Sequence, residues 1–413
     1  MTPFRLALLG LFAIGQLTAW FLWNKRLKGL VARSSVKTAY ILINLTAAIA
    51  IAQMYVLERI PPDPFLWSYL YRPALTWEFA HVMWLAVAAA LYLGSIALAP
   101  IIGRPPKGLP QLFRAKKSRL TVFHWIFMAW LVCLGAAYYG YWVQLGPANV
   151  KRITVSSPNL PPELEGLRIV HLSDFHYGLG SDYLDLERRL LQAAALKPDL
   201  VIMTGDLLDS KATLARDFRE PLKRLEGVPL GVYGVLGNHD VYTGQPNEEV
   251  RLLLTGGLKI LRDEAISLPK APITLVGFDD SGARSVFYKP DPAGDTLNFK
   301  AIKGYPGPPG NYLIVIRHRP QGLVDAAQAK ADLYLAGHTH GGQFQFPFWP
   351  RLNVMTFSYQ FTQGTYYLAP TTLIISNGLA AAGLPFRLGA WPEIGLITLT
   401  SRPVANPEDQ GLN

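Results

Sequence analysis

Five short segments of this 413-residue chain carry most of the side chains suited to catalysis. They are Ser173-Asp174-Phe175-His176, Gly205-Asp206-Leu207-Leu208-Asp209, Gly237-Asn238-His239-Asp240, Arg317-His318-Arg319-Pro320 and Gly337-His338-Thr339-His340-Gly341-Gly342-Gln343. Five of the eight histidines (His176, His239, His318, His338 and His340) fall within them. Mixed imidazole, carboxylate and amide groups suit Mn, Fe or Zn, whereas Mg and Ca prefer all-oxygen shells. Two imidazoles one residue apart, as in His338-Thr339-His340, are costly to bury without a partner. No covalent nucleophile stands out: there is no Gly-x-Ser-x-Gly elbow, and the single cysteine, Cys133, lies upstream. That lone cysteine also excludes an intramolecular disulfide framework and a Cys-rich zinc module.

Each segment follows a short apolar run, so the elements that position it read as β-strands. The runs before the motifs are Leu167–Leu172, Leu200–Met203, Leu230–Val235, Tyr312–Ile316 and Leu333–Leu335. Further strand candidates are Val150–Val155, Ile273–Val276, Leu373–Ile375 and Ile394–Leu399. Amphipathic spacing predicts helices over Asp182–Leu196, Ala212–Leu225, Asn247–Leu254 and Leu323–Ala329. Strands interleaved with helices predict stacked sheets covered by helices, with ligands at the carboxyl ends of the strands.

The first third has another texture. Apolar stretches at Phe4–Trp23, Val36–Leu57, Phe79–Ile102 and Leu120–Val143 each approach the ~20 residues that cross a bilayer as a helix. Lys25, Arg26, Lys28, Arg33 and Lys37 separate the first two. Arg104, Lys107, Arg114, Lys116, Lys117 and Arg119 separate the last two. Short basic loops stay cytoplasmic, which puts both termini outside and the chain in a cell (inner) membrane. These loops hold eleven positive charges of a net +10, so the rest sums to −1 and no nucleic-acid partner is expected. His81 and His124 lie near predicted span ends and read as structural. The expected organisation is four transmembrane helices over 1–146, a linker and first strand over 147–166, a catalytic domain over 167–400, and a disordered tail over 401–413.

Taken together, the five motifs resemble the calcineurin-like metallophosphoesterases, in particular their membrane-associated YkuE-type branch. The resemblance covers about residues 150–400, including Ser376-Asn377-Gly378-Leu379, Leu384-Pro385 and Pro392-Glu393-Ile394. It implies a four-layer αββα sandwich with two metal ions at the sheet edge. Carried over, Asp174, His176 and His340 hold the first ion, Asn238, His318 and His338 the second, and Asp206 bridges them. The family usually has a small residue before the histidine aligned at His318, where this chain has Arg317. Two metals about 3.5–4 Å apart polarise phosphoryl oxygens and hold a bridging hydroxide for in-line attack. The resemblance also pairs His239, as leaving-group acid, with Asp209. Asp209 at a helix N-cap is the other reading.

Asp240 reads as structural, and Asp279 and Asp280 as turn-forming residues. Arg387 either touches a substrate phosphate or makes a salt bridge. The aromatic stretch Phe344, Phe346, Phe348, Trp349, Phe357, Tyr359 and Phe361 reads as hairpin core, or else as a collar that admits an acyl chain. The expected function is hydrolysis of a phosphomonoester or phosphodiester, lipid-linked, outside the cytoplasm, with membrane lipids as partners. Two alternatives stand beside it. One is a hydrolase facing the cytoplasm, like the UDP-diacylglucosamine pyrophosphatase of lipid A assembly. The other is a non-catalytic, metal-stabilised envelope scaffold.

Overall fold

The chain divides into two units, Met1–Trp142 and Val143–Asn413. The computed structural model describes residues 70–98, 116–178, 180–209, 211–280, 296–346, 349–383 and 387–403, with isolated positions between 10 and 49.

Helices run over Arg72–Leu98 (α1), in the first unit, and over Lys116–Leu145 (α2), which begins in the first unit and ends three residues into the second. Among the described residues no helix is long and apolar enough to cross a membrane, which overturns the expected bundle of four transmembrane helices. The physical reason lies at the ends of the apolar runs. Helix α1 starts seven residues before Phe79 and so takes in Arg72, Thr76 and Glu78, which are buried along with His81. Protein groups answer this polarity. The Thr76 hydroxyl donates to the Arg72 carbonyl at 2.8 Å, Gln16 donates to Glu78 at 2.6 Å, and Tyr138 of α2 donates to the Pro73 carbonyl at 3.2 Å. Helix α2 likewise opens on Lys116, Lys117 and Arg119. The expected spans Phe4–Trp23 and Val36–Leu57 lie largely outside the described residues, as do both basic loops as far as Ala115 and the side chain of His124.

The central strands of the second unit, such as Leu200–Thr204, Tyr312–Ile316 and Leu333–Ala336, are apolar at nearly every position. Its first sheet contains β1 (Asn149–Ser156), β2 (Arg168–Leu172), β3 (Leu200–Thr204), β4 (Val232–Val235) and β5 (Leu258–Ile260). Its second contains β6 (Glu264–Ser267), β7 (Ile273–Gly277), β8 (Tyr312–Ile316) and β9 (Leu333–Ala336). A small hairpin follows, β10 (Gln345–Phe346) with β11 (Trp349–Asn353), then β12 (Gly364–Leu368), β13 (Thr371–Ile375) and β14 (Glu393–Thr400). The two six-stranded sheets have the orders β1-β14-β2-β3-β4-β5 and β12-β13-β9-β8-β7-β6. Pairing within β2-β3-β4-β5 and within β13-β9-β8-β7 is parallel throughout.

Successive side chains of a strand point to opposite faces, so each strand feeds two cores. Leu200 and Ile202 of β3 enter a core shared with Ile314 and Ile316 of β8 and Leu333 and Leu335 of β9, which packs the sheets face to face. Val201 and Met203 face the other way, toward Leu186 and Leu190 of helix α3 (Tyr183–Ala195). On the far side, Val315 and Tyr334 pack with Leu323 and Ala326. The layers are therefore helix, sheet, sheet, helix. Fully burying one such aliphatic side chain contributes roughly 1.5–3 kcal/mol.

Shorter helices complete the layers: α4 (Arg219–Leu222), α5 (Asn238–Tyr242), α6 (Pro246–Leu254) and α7 (Leu323–Gln328). Asp182 caps α3, accepting the Asp185 N–H at 2.9 Å, as the expected helix start requires. The helix expected over Ala212–Leu225 is instead a 3-10 turn (Ala212–Phe218), α4 and a second turn (Lys223–Leu225). Pro221 lacks the N–H that a continuous helix needs there.

Candidate metal centre

The carboxyl ends of β2, β3, β4, β8 and β9 carry the five motifs, and the parallel arrangement turns these ends to one edge. Contacts across the sheets bring the edges together. His318, after β8, places Nδ1 2.7 Å from the carbonyl of Thr204, at the end of β3. The backbone N–H of His338, after β9, donates to Asp174 Oδ2, after β2, at 3.1 Å. This approach requires glycine beforehand: a Cβ at Gly337 would collide with Ser173 Oγ.

Three groups of possible ligands result, each with its atoms within 4.8 Å of one another: Asp174, His176 and His340; Asp206, His318 and His338; and His176, Asp206 and His239. In the first group, His340 Nε2 lies 3.0 Å from His176 Nε2 and 3.4 Å from Asp174 Oδ1. In the second, His318 Nε2 lies 3.1 Å from Asp206 Oδ2 and 3.0 Å from His338 Nδ1. Asp206 touches both, since Oδ2 is also 3.6 Å from His176 Nε2. Asn238 sits between two residues that abut Asp206. A Cβ at Gly237 would collide with Asp206 Oδ1, and the His239 N–H donates to that same oxygen at 2.8 Å. The Oδ1 of Asn238 is buried and meets no donor among the described residues.

The outward ring atoms fix the tautomers. His340 Nδ1 lies 2.9 Å from the Ala380 carbonyl, and His318 Nδ1 faces a carbonyl as already described, so each of these atoms must carry a hydrogen. His176 Nδ1 lies 2.6 Å from Asp209 Oδ1. Each ring is left with its Nε2 lone pair facing inward, where two such lone pairs 3.0 Å apart repel unless something positive sits between them. A divalent cation fits that donor set, and the orphaned Asn238 oxygen supplies a further ligand.

Backbone strain is concentrated here as well. Asp174, His176, Asp206, His338 and His340 all adopt left-handed φ, at 55°, 44°, 50°, 72° and 53°. Such conformations are held by the surrounding structure and gather at functional sites.

Asp209 is shared. Its Oδ1 accepts from Nδ1 of both His176 and His239, at 2.6 and 2.7 Å, and its Oδ2 accepts the Gly180 N–H at 3.0 Å. It is not a helix N-cap. Burial alone would raise its pKa, but His176 and His239 outweigh that and hold it well below the usual range. Burial works against a charged His239, and Asp206 and Asp209 overcome it to raise its pKa. The His239 side chain is 29% exposed, far more than its neighbours, so its Nε2 end is open to a substrate.

Other candidates fall elsewhere. Arg387 is fully buried and donates to the carbonyls of Ala390, Gly378, Ala380, His340 and Asn377. It therefore clamps backbone, and neither expected role for it matches. Asp279 pairs with Arg262, and Asp280 with Arg319 at 2.8 Å. Arg317 donates to the Gln321 carbonyl at 3.2 Å. Asp240 accepts two backbone N–H groups. The aromatic stretch divides. Phe361 packs on Tyr366 with ring centroids 4.6 Å apart, Phe357 is 87% exposed, and the side chains of Phe346, Phe348 and Trp349 lie outside the described residues. Tyr359, expected only as hairpin core or collar, is buried and has its hydroxyl 2.6 Å from Nε2 of His338.

A two-sheet sandwich whose strand ends gather carboxylate, amide and imidazole groups at one edge defines a metal-dependent phosphoesterase. Comparison with known proteins gives the family: the calcineurin-like phosphoesterase description matches residues 167–342. "Transmembrane protein with metallophosphoesterase domain" from Bos taurus is 31% identical over 359 residues, 83% of this chain and 76% of its own length. "Uncharacterized metallophosphoesterase YkuE" from Bacillus subtilis is 31% identical over 64% of this chain and 90% of its own. This chain belongs to the calcineurin-like phosphoesterase family. The likeness to the bovine protein covers more of the chain than the second unit alone supplies.

Proposed function

We propose that the protein hydrolyses a phosphomonoester or phosphodiester, lipid-linked, with two divalent cations drawn from Mn, Fe and Zn. Asp174, His176 and His340 would hold one ion, Asn238, His318 and His338 the other, and Asp206 both. The observation that carries this reading is the position of Asp206 Oδ2, 3.1 Å from His318 Nε2 and 3.6 Å from His176 Nε2. When bound, such ions polarise phosphoryl oxygens and lower the pKa of water.

The chain's own residues do the rest. Asp209 orients His176 and His239 together through one oxygen. His239, raised in pKa and partly exposed, donates a proton to the leaving oxygen. The test is hydrolysis of model phosphoesters and of lipid extracts by purified full-length protein of measured metal content. Asp206→Ala should lose both metal and turnover, and full turnover in a metal-free Asp206→Ala protein would refute the mechanism.

The lipid-linked substrate and a membrane location have separate support; the placing of the catalytic unit outside the cytoplasm rests on the basic loops alone. The bovine relative is named a transmembrane protein, the likeness to it reaches into the first unit, and the exposed Phe357 lies two residues from Tyr359 at the site. Protease protection in sealed vesicles tests the side. Protection of the catalytic unit in right-side-out vesicles would place it in the cytoplasm.

A further inference from the structure

His171 is an imidazole in an apolar place. It lies on β2 at 0% exposure, and the alternation of the strand turns it with Ile169 into the core between the two sheets. Ser173, two residues on, shares that face, as does Thr204 of β3, in line with Leu200 and Ile202; both are fully buried. The three make a small polar patch at the end of the inter-sheet core, and groups so buried need partners.

They partner one another, and counting hydrogens gives the direction of each bond. The Thr204 hydroxyl donates to Ser173 Oγ at 2.8 Å. A hydroxyl has one hydrogen, so His171 Nε2, 2.9 Å from Thr204 Oγ1, must be the donor to it. Burial lowers the pKa of this imidazole to about 3, so the neutral ring carries its single hydrogen on Nε2. Its Nδ1 is buried and meets no partner among the described residues. Leucine would fill this position without stranding a buried acceptor, so packing does not explain the imidazole. What it contributes is one directed N–H.

That N–H acts on a residue at the root of the site. The Thr204 carbonyl accepts from His318 Nδ1 at 2.7 Å, and the Ser173 hydroxyl turns back to the same carbonyl over a long 3.4 Å. Thr204 is thus held by its side chain and holds His318 by its backbone.

We propose that His171 is a positioning residue for His318: its Nε2–H pins the Thr204 hydroxyl, and so sets the carbonyl that orients the His318 imidazole toward the ion shared with Asn238 and His338. The metal part of this rests on the phosphoesterase reading, and the part concerning the His318 ring does not.

The experiment compares full-length wild type with His171→Gln, His171→Leu and Thr204→Val. The glutamine variant places an N–H near the position of Nε2, and the leucine variant fills the space without a donor. The valine variant keeps the shape and the carbonyl of Thr204 and loses only the hydroxyl. Titration with Zn should show one of two sites weakened about tenfold or more in the leucine and valine variants, in the range of outer-shell losses, and within about threefold of wild type in the glutamine variant. Wild-type affinity at both sites in His171→Leu and Thr204→Val, or a glutamine variant as weak as the leucine one, would overturn the proposal.

The second readout is the imidazole N–H spectrum of the same proteins, labelled at their eight histidines. His171 should carry its proton on Nε2. The Nδ1 proton of His318 should exchange with water about fivefold or more faster in Thr204→Val than in wild type, because its acceptor is no longer held. A proton on Nδ1 of His171, or unchanged exchange at His318 in Thr204→Val, would overturn the proposal even if His171→Leu fails to fold. This readout holds in a protein that binds no Zn, so failure of the two readings can be told apart.

Discussion

Tyr359 places its hydroxyl 2.6 Å from Nε2 of His338, on the side of the ring away from His318. Ring orientation at a metal site is commonly set by such an outward hydrogen bond, and its loss typically costs 10–100-fold in activity or metal affinity. Tyr359→Phe removes the hydroxyl and keeps the buried ring. The expected outcome is a fall of roughly tenfold or more in kcat, with KM nearly unchanged. Steady-state kinetics at saturating metal checks it, and an unaltered kcat would reduce Tyr359 to packing.

The shared carboxylate of Asp209 predicts a pH effect. Asp206 and Asp209 raise the pKa of His239, so a catalyst that needs this imidazole protonated loses activity as pH climbs through that raised value. Asp209→Asn preserves an acceptor oxygen but removes the charge, which lowers the pKa. The basic limb of kcat/KM should therefore move to lower pH. A limb that stays in place, with kcat reduced, would mean that Asp209 acts only by orienting His176.

Metal removal should weaken the folded state. Ions that bind the native chain and not the unfolded one stabilise it by about 2.7 kcal/mol at a hundredfold excess over Kd. The melting temperature of the purified protein should fall on chelation and rise again with added Mn or Zn, in proportion to the logarithm of metal concentration. His318→Ala should flatten that dependence. A chelated protein that melts like the loaded one would count against the centre.

Much of the second unit was legible in its residues because both sources of information are local. Apolar runs such as Leu200–Met203 follow the period of a doubly buried strand, and a strand's polar terminus follows directly in the chain. What escaped was contributed by distant segments. Tyr359 reaches His338 across 21 positions through a turn that no spacing rule announces. The Arg387 clamp likewise depends on where its backbone partners travel. The first unit misled for a different reason. Apolarity says that a helix must be covered, not whether lipid or protein covers it, and the buried Arg72 and Glu78 sit just before the apolar run that begins at Phe79.

Arg387 itself supports a final prediction. Its guanidinium donates to five backbone carbonyls, two of which, those of His340 and Ala380, belong to the surroundings of one candidate ligand. The Ala380 carbonyl also accepts from His340 Nδ1, so one oxygen fixes both the loop and the imidazole tautomer. Burial lowers the guanidinium to about 9, which leaves it charged at neutral pH. Lysine has only three donors around a single nitrogen and cannot span the same fork. Arg387→Lys should thus strand buried carbonyls, at a cost of about 1–3 kcal/mol for each group left unsatisfied. The expected result is a clear loss of thermal stability together with weaker metal binding, because His340 loses its anchor. Thermal melts and metal titration of the variant check both, and a variant that melts like wild type would show that the clamp is dispensable.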